Sequence, residues 1–170
     1  MSTMVTERTI LSTLISNDFE EALEMYSEPD TFKYIAPAQN RNREEHLRFL
    51  ESRIVQVNEK QGYHWAVRMN ESNEFIGLMN LNYIIGTDMM QVGFQLKRKF
   101  WNQGFATELT KKVLAFAANE TNLKAIYGVF DKRNVASAKI FVKLGFTFHD
   151  SKMFEGEEYP IEIWKYTIND

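Results

Sequence analysis

The sequence predicts one α/β domain, residues 1–170, with a mixed, mostly antiparallel central sheet of about six to seven strands flanked by about four helices. Three observations predict this fold. The 170 residues suit one hydrophobic core, because single domains commonly run to about 100–200 residues. The first half of the chain contains three consecutive strand patterns, and the second half alternates strands with helices. That order indicates a meander that continues into a layered α/β sheet.

The first elements are one strand and two helices. Residues 9–15 (TILSTLI) are typical of a β-strand, and residues 18–26 have a helical pattern with acids in the first turn. The second helix has a clear start, because Asn42 can cap it and Glu45 stands three residues later, as in a capping box. Its apolar positions recur at helical spacing and predict one buried face, formed by Leu47, Leu50, Ile54 and Val57.

Three strand patterns follow, at residues 63–68, 75–85 and 89–96. Polar turns at residues 71–73 and 86–88 separate them. Short turns between such strands favour an antiparallel meander of all three.

The second half alternates helices and strands. Residues 104–119 have the pattern of an amphipathic helix, and residues 125–130 (AIYGVF) are a short apolar strand typical of a sheet interior. Residues 134–144 are predicted as a further helix, which Gly145 ends in a left-handed conformation. The last two predicted strands are residues 146–149 and 161–168.

Composition excludes several classes of protein. Hydrophobic residues make up 44% and charged residues 25% of the chain, which excludes overall disorder. The absence of cysteine excludes disulfides, zinc-thiolate sites and a cysteine nucleophile. The three histidines lack the spacing of metal ligands, so we expect no metal. No apolar run reaches the roughly 18 residues of a membrane span, and the start lacks a signal-peptide core, so we expect a cytoplasmic protein without a membrane partner.

The charge is distributed unevenly along the chain. The net charge is −3, but residues 95–145 contain ten Lys+Arg and only three acids. This basic segment predicts a local site for a compact polyanion such as a nucleotide cofactor. The alternative is a basic helix face that merely balances acidic neighbours. Nucleic acid is not expected as a partner, because the overall acidity would repel a long phosphate backbone.

The most informative stretch is residues 91–108, QVGFQLKRKFWNQGFATE. A strand ends at Leu96, a cationic turn follows at residues 97–99, and Gly104 to Thr107 open a long helix. The first-turn amides of a helix lack internal partners, and the helix dipole adds partial positive charge there. These features predict a phosphate-binding element. The stretch is neither a P-loop nor a dinucleotide fingerprint, so ATP hydrolysis and NAD chemistry are unsupported.

Three motifs resemble a known family. Residues 100–108 (FWNQGFATE) resemble the pyrophosphate loop of the GNAT acetyl-CoA N-acetyltransferases, and specifically of their RimJ/RimL-like branch, whose loop often reads Tyr-Trp-Gly-Lys-Gly-Tyr-Ala-Thr-Glu. Residues 134–146 resemble that branch's N-x-x-S…K-L-G-F segment, and residues 6–11 resemble its opening strand. The resemblance covers nearly the whole chain, and three motifs in order are more specific than any one.

The resemblance implies acetyl-CoA as cosubstrate and a set of residues that bind it. The pyrophosphate would be bound by the loop before and at the start of the helix, mainly through its backbone amides. The loop residues are Asn102, Gln103, Gly104, Phe105, Ala106 and Thr107. Gln95 and Leu96 would pair with the pantetheine arm as an added strand, and Asn134, with Ser137 nearby, would contact the same arm. The ribose phosphate would be screened by one or more of five cations, among which the sequence does not choose: Lys97, Arg98, Lys99, Lys139 and Lys143.

Acetyl transfer also needs an oxyanion donor, a general acid and a general base. The Leu96 N–H is the candidate oxyanion donor. Phe141 stands where many family members place an acidic tyrosine, so Ser137 is the candidate general acid; the alternative is a helix-surface serine bonded to the backbone. Gln91 stands where relatives often carry glutamate, and no base is assigned. The residues considered for that role are Glu157, Glu158, Glu162, His64 and His149, while Glu108 is interpreted as structural.

The predicted function is therefore transfer of acetyl from acetyl-CoA to a primary amine, either a protein N-terminus or a small cationic amine. The acidity outside the basic segment favours a cationic acceptor. An alternative is a catalytically silent acyl-CoA-binding sensor, which Phe141 and Gln91 favour, and a third is a small-nucleotide-binding regulator. The sequence leaves the oligomeric state open, a homodimer included.

Overall fold

The computed structural model describes residues 3–168 and contains one eight-stranded sheet. The strands lie in the order β1-β2-β3-β4-β5-β6-β8-β7, and every neighbouring pair is antiparallel except β5 and β6, which are parallel. Their bounds are β1 Met4–Val5, β2 Thr9–Thr13, β3 Gly62–Met69, β4 Phe75–Tyr83, β5 Met90–Leu96, β6 Ala125–Asp131, β7 Thr147–Lys152 and β8 Ile161–Thr167.

Five α-helices accompany the sheet in this part of the chain: α1 Phe19–Ser27, α2 Ala36–Gln39, α3 Arg43–Asn58, α4 Phe105–Glu120 and α5 Val135–Lys143. The Asn42 side chain accepts from the Glu45 N–H and the Glu45 carboxylate accepts from the Asn42 N–H, which confirms the predicted capping box. Gly145 follows α5 with φ +88°, so its predicted left-handed conformation is also confirmed.

Two apolar cores lie on the two faces of the sheet, because successive strand residues point to opposite sides. In β3, Trp65 and Val67 pack in the core that contains α4 and α5. The intervening Ala66 packs in the core that contains α1 and α3. The predicted apolar face of α3 is centred on Leu50, which is fully buried.

The differences from the predicted elements are small. The two-residue β1 and the four-residue α2 are absent from the prediction, because neither is long enough to show a periodic pattern. The strand predicted at 146–149 runs from Thr147 to Lys152, with a bulge between Phe148 and Asp150. Its side chains are largely exposed, so it lacks the apolar alternation that marks a strand. Within residues 3–168, no helix combines the length and apolar character needed to span a bilayer.

Candidate active site

The site lies where β5 and β6 part. The two strands are paired only at Gln91 with Tyr127 and Val92 with Gly128 in the described chain. On its other side β5 stays paired with β4 as far as Leu96, which lies opposite Gly77. The Lys97 N–H donates to the Ile76 carbonyl at 2.8 Å, so alternation turns the Leu96 N–H away from β4 and towards the gap. The predicted oxyanion donor therefore faces the gap between the strands.

The turn into α4 uses two left-handed residues. Gly104, the residue before the helix, has φ +82°, and Asn102 has φ +58°. Asparagine tolerates this conformation better than most residues, and it stands where the resembling loop has glycine. The first helical hydrogen bond runs from the Glu108 N–H to the Gly104 carbonyl. The N–H groups of residues 105–107 consequently have no helical acceptor, as expected for a phosphate-binding turn.

Arg8 holds this turn from the neighbouring strand region, and sequence reasoning missed it. Its Nε donates to Glu108 Oε2 at 2.7 Å, and its Nη1 donates to the Gln103 carbonyl at 3.0 Å. The guanidinium also stacks 3.8 Å from the centre of the Phe105 ring. Burial alone would raise the pKa of the Glu108 carboxyl, but hydrogen bonds from Thr6 and Arg8 bring it below its ordinary value. Glu108 is thus an ionised structural residue.

Trp101 is fixed to the end of β5. Its indole Nε1 donates to the Leu96 carbonyl at 2.7 Å, and 37% of the residue is exposed. Because the N–H and C=O of one strand residue point the same way, the indole lies on the side of the gap. Trp101 therefore both fixes the turn to the end of β5 and lies at the edge of the gap between β5 and β6.

Two of the three cations in the turn at residues 97–99 are paired with acidic residues from elsewhere in the chain. The Arg98 N–H donates to Glu28 Oε2 at 2.7 Å, and its guanidinium donates to Asp30 at 3.1 Å. Lys99 forms an ion pair with Glu74. Two of the five cations considered for the ribose phosphate are therefore compensated by carboxylates of other elements.

Asn134 and Ser137 lie on the opposite side of the gap, at the start of α5. The Asn134 Oδ1 accepts from the Ser137 N–H at 3.1 Å, which caps the helix and leaves the amide NH2 group for another acceptor. Ser137 is buried, with 8% exposed, and its hydroxyl has no hydrogen bond within residues 3–168. The surface serine bonded to the backbone is therefore not what the structure contains.

Phe141, one turn further along α5, belongs to the core. Its ring stacks on Phe130 at 5.4 Å between centres, and 2% of the residue is exposed. Gly128 is the close neighbour that makes room for it, since a Cβ there would lie 2.6 Å from the Phe141 ring. Phe141 is thus a core residue and cannot act as a general acid.

A cavity of about 640 Å³ opens from the gap across the sheet towards α3. It brings together Gln95, Asn134 and Ser137 with Gln91. Leu96 and residues 102–107 do not line it, and the turn before α4, residues 101–104, is exposed. The other walls come from α1 to α3, β3, β4 and the loop before β8, with Tyr26, Arg41, His46, Phe49, Arg53, His64, Asn80, Glu155 and Glu157 among the lining residues.

Among the residues considered as bases, His64 is buried and neutral. Its Nε2 lies 2.8 Å from Gln56 Oε1, which also accepts from Arg53, so the His64 Nε2 carries the hydrogen. Burial, followed by the nearby Arg53 charge, lowers the pKa of His64 to about 3. Such an imidazole is a weak base.

The remaining residues considered as bases are separated by their positions. His149 packs on Tyr127 outside the cavity, and Glu162 accepts from Trp164 Nε1 at 2.8 Å. Glu158 is exposed and does not line the cavity. Glu157 lines it, and burial, together with the charge of Asp131, raises the pKa of its carboxyl above the ordinary value.

A family model described as an acetyltransferase (GNAT) domain matches residues 8–147. The match defines the protein as an acetyltransferase. The chain belongs to the GNAT acetyltransferase family, whose members use acetyl-CoA.

Several relatives and solved structures are similar to this chain in sequence or in fold. The uncharacterized N-acetyltransferase YoaA of Bacillus subtilis is 23% identical over 142 residues, which cover 83% of this chain and 80% of the relative. A GNAT-family acetyltransferase from Bacillus anthracis superimposes with a TM-score of 0.82 at 19% identity, covering 98% of both chains. RimL, a ribosomal alpha-N-protein acetyltransferase in complex with coenzyme A, superimposes with a TM-score of 0.84 at 14% identity, again covering 98% of both. These structures share the α/β GNAT fold.

Proposed function

We propose that this protein transfers acetyl from acetyl-CoA to a primary amine by direct attack of the amine on the thioester. The observation that carries the proposal is the parting of β5 and β6 beside the first turn of α4. The Leu96 N–H faces the gap, and the N–H groups of residues 105–107 lack helical acceptors. A ligand with a diphosphate and an amide-containing arm can use both sets of donors.

The proposed binding mode follows from these donors. The diphosphate accepts from main-chain N–H groups at residues 103–107, where the helix dipole favours an anion. The pantetheine arm runs along the free side of β5 at Gln95 and Leu96, and the Asn134 NH2 group donates to one of its carbonyls. Asn102 and Gly104 keep the turn in the left-handed conformation that this arrangement needs.

The proposed chemistry needs a base that takes a proton from the amine and an acid that gives a proton to the thiolate. The amine nitrogen attacks the thioester carbonyl carbon, so that a C–N bond forms as the C–S bond breaks. The Leu96 N–H stabilises the negative charge that develops on the carbonyl oxygen. The ammonium of the acceptor first loses one proton to solvent, which frees the nitrogen lone pair. Glu157, with its raised pKa, takes the second proton, which the nitrogen loses as the C–N bond forms. The Ser137 hydroxyl gives a proton to the departing thiolate and regains one from solvent.

The test is acceptor-dependent release of thiol from acetyl-CoA. The protein contains no cysteine, so a thiol-reactive dye reports only free coenzyme A. Peptides, polyamines, aminoglycosides and amino acids are offered in turn, and mass spectrometry identifies the acetylated product. Thiol release that requires an amine supports the proposal, and failure to bind acetyl-CoA contradicts it.

The second candidate is an acyl-CoA-binding sensor without turnover. It is favoured by Phe141, which is a core residue where an acidic tyrosine would stand, and by Gln91, which lines the cavity without being able to accept a proton. Tight binding of acetyl-CoA without thiol release for any amine would support the sensor over the enzyme.

A further inference from the structure

One wall of the cavity contains two arginines that have no carboxylate partner in the described part of the chain. Arg41 lies between α2 and α3, and Arg53 lies in α3; both line the cavity. Their guanidinium carbons lie 4.6 and 4.2 Å from the centre of the same Phe49 ring. Within residues 3–168, the Arg41 side chain makes no hydrogen bond, and the Arg53 guanidinium donates only to Gln56, at 3.0 Å.

The groups around this pair do not neutralise it. Burial lowers the pKa of the Arg53 guanidinium; Tyr26 opposes this effect, and the charge of Arg41 adds to it. Burial raises the pKa of the Tyr26 phenol, so that this neighbour is uncharged at neutral pH. Two positive charges close together in a partly buried cavity wall repel each other, and a bound anion would relieve this repulsion. The wall therefore has a net positive charge that is not compensated by neighbouring acidic groups within residues 3–168.

His46 adds a polar atom that lacks a partner. The residue is 7% exposed, lines the cavity and stacks on Phe32 with 4.9 Å between ring centres. Its Nδ1 is buried without a hydrogen bond in the described chain. Burial and then the Arg41 charge lower the pKa of the imidazole, although Glu45 opposes them. A neutral imidazole in the same cavity wall as the two guanidinium groups can contribute to a site for an oxyanion.

The other end of the cavity is acidic. Glu155 and Glu157 line it on the loop before β8, and Asp131 lines it at the end of β6. Asp131 is already paired with Arg133, whose Nη2 lies 2.6 Å from its Oδ2. Glu155 and Glu157 form no ion pair within residues 3–168, so they can face a ligand ammonium. The cavity is thus positive near α3 and negative near residues 155–157.

We infer that the amine acceptor is a small zwitterion that has a carboxylate or phosphate group besides its amine, and that Arg41 and Arg53 bind this oxyanion. The inference rests on the proposed function and names the substrate class for that same site. It differs from the cationic acceptor that overall acidity favours, because the cavity wall near α3 has the opposite charge. Arginine suits the role, since its planar fork binds carboxylate and phosphate through paired hydrogen bonds.

The experiment compares acceptors that differ only in the anionic group. The standard amino acids are assayed beside their carboxamides, and phosphoethanolamine beside ethanolamine, with thiol release as the readout. For at least one pair, we expect kcat/KM for the anionic member to exceed that of its partner by about ten- to hundredfold. The two arms distinguish a carboxylate from a phosphate as the bound group.

Variants assign the preference to the arginines. Arg41→Gln and Arg53→Gln should each remove most of it while leaving the affinity for acetyl-CoA unchanged. Arg53→Gln also loses the hydrogen bond to Gln56, which could destabilise the fold. Arg41→Gln has no such bond to lose in the described chain, so it tests the inference independently. Arg48→Gln is the matched control, because Arg48 is an exposed α3 arginine paired with Glu44 and lies outside the cavity.

Three outcomes would overturn the inference: preference for uncharged or cationic acceptors, an unchanged preference in both arginine variants, or transfer to peptides or polyamines but to no member of this panel. Failure to bind acetyl-CoA, or binding without thiol release for any amine, would instead overturn the proposed function, so the two failures are distinguishable.

Discussion

Ser137 is the residue on which the proposed proton transfer to the thiolate depends. The residue is largely buried and lines the cavity, while its main-chain N–H donates to the Asn134 side chain. The backbone bond holds the start of α5 independently of the hydroxyl. Chemistry and structure can therefore be separated at this position.

Ser137→Ala should lower kcat by about a hundredfold, because general acid catalysis typically contributes 10²- to 10⁴-fold. The dissociation constant for acetyl-CoA should stay unchanged, as measured by titration calorimetry. Ser151→Ala, at an exposed position of β7, is the control. A normal turnover number in Ser137→Ala would remove this serine from the mechanism.

His64 makes the stability of the fold depend on pH. Its pKa is about 3 in the folded protein against an ordinary 6.5, so between these values only the unfolded chain binds the proton. Stability due to this residue is complete above pH 6.5 and is lost as the pH falls towards 3.

Urea unfolding of wild type and His64→Gln at several pH values measures this effect. Between pH 7 and pH 5, the wild type should lose up to about 2 kcal/mol more of its free energy of unfolding than the variant. His149→Gln, at an exposed position, should behave like the wild type. Parallel pH profiles of wild type and His64→Gln would show that His64 is not buried as a neutral imidazole.

Residues within local motifs were predictable from the sequence, and residues that act across the fold were not. Gly104 and Asn134 lie at helix starts, where neighbours in sequence define the geometry. Arg8 reaches Gln103 across 95 positions of sequence. Arg41 and Arg53 become a pair only because both pack on Phe49. Single-sequence patterns contain no signal for such contacts.

At the scale of elements, the start of α4 combines a left-handed glycine with free amides. The sequence predicts this helix at residue 104 and the strand end at Leu96, and the structure has β5 ending there and α4 beginning one residue later. The parting of β5 from β6 was not predictable, because strand order and register depend on the whole sheet. The proposed phosphate-binding turn was therefore predictable from the sequence, whereas the gap beside it could be seen only from the sheet topology of the structure.

Gly104→Asp should weaken acetyl-CoA binding at least tenfold, since it adds a carboxylate beside the proposed diphosphate. The new side chain is also strained, by about 1–2 kcal/mol, because φ is +82°. Gly86→Asp is the matched control: Gly86 has φ +76° in the turn between β4 and β5, with open space around it. Calorimetry should show lost affinity only for the first variant, and equal affinity in both would contradict the site.

At the scale of the whole molecule, charge counts describe the site poorly. The basic segment predicts a polyanion site, yet Arg98 and Lys99 are paired with acids from other elements. The acidic remainder favours a cationic acceptor, yet the cavity contains two arginines that have no acidic partner among residues 3–168. A sum over the sequence does not record which charges meet. We propose that the chain works as one domain, because both apolar cores pack on the same sheet.

We propose that main-chain donors at the start of α4 hold the diphosphate and so direct the thioester into the gap between β5 and β6. A crystal structure of the protein with coenzyme A would examine this binding mode. We expect diphosphate oxygens within hydrogen-bond distance of N–H groups at residues 103–107, and the thiol beside the Leu96 N–H. A diphosphate bound elsewhere, for instance on the Lys97–Lys99 turn, would rule out this binding mode.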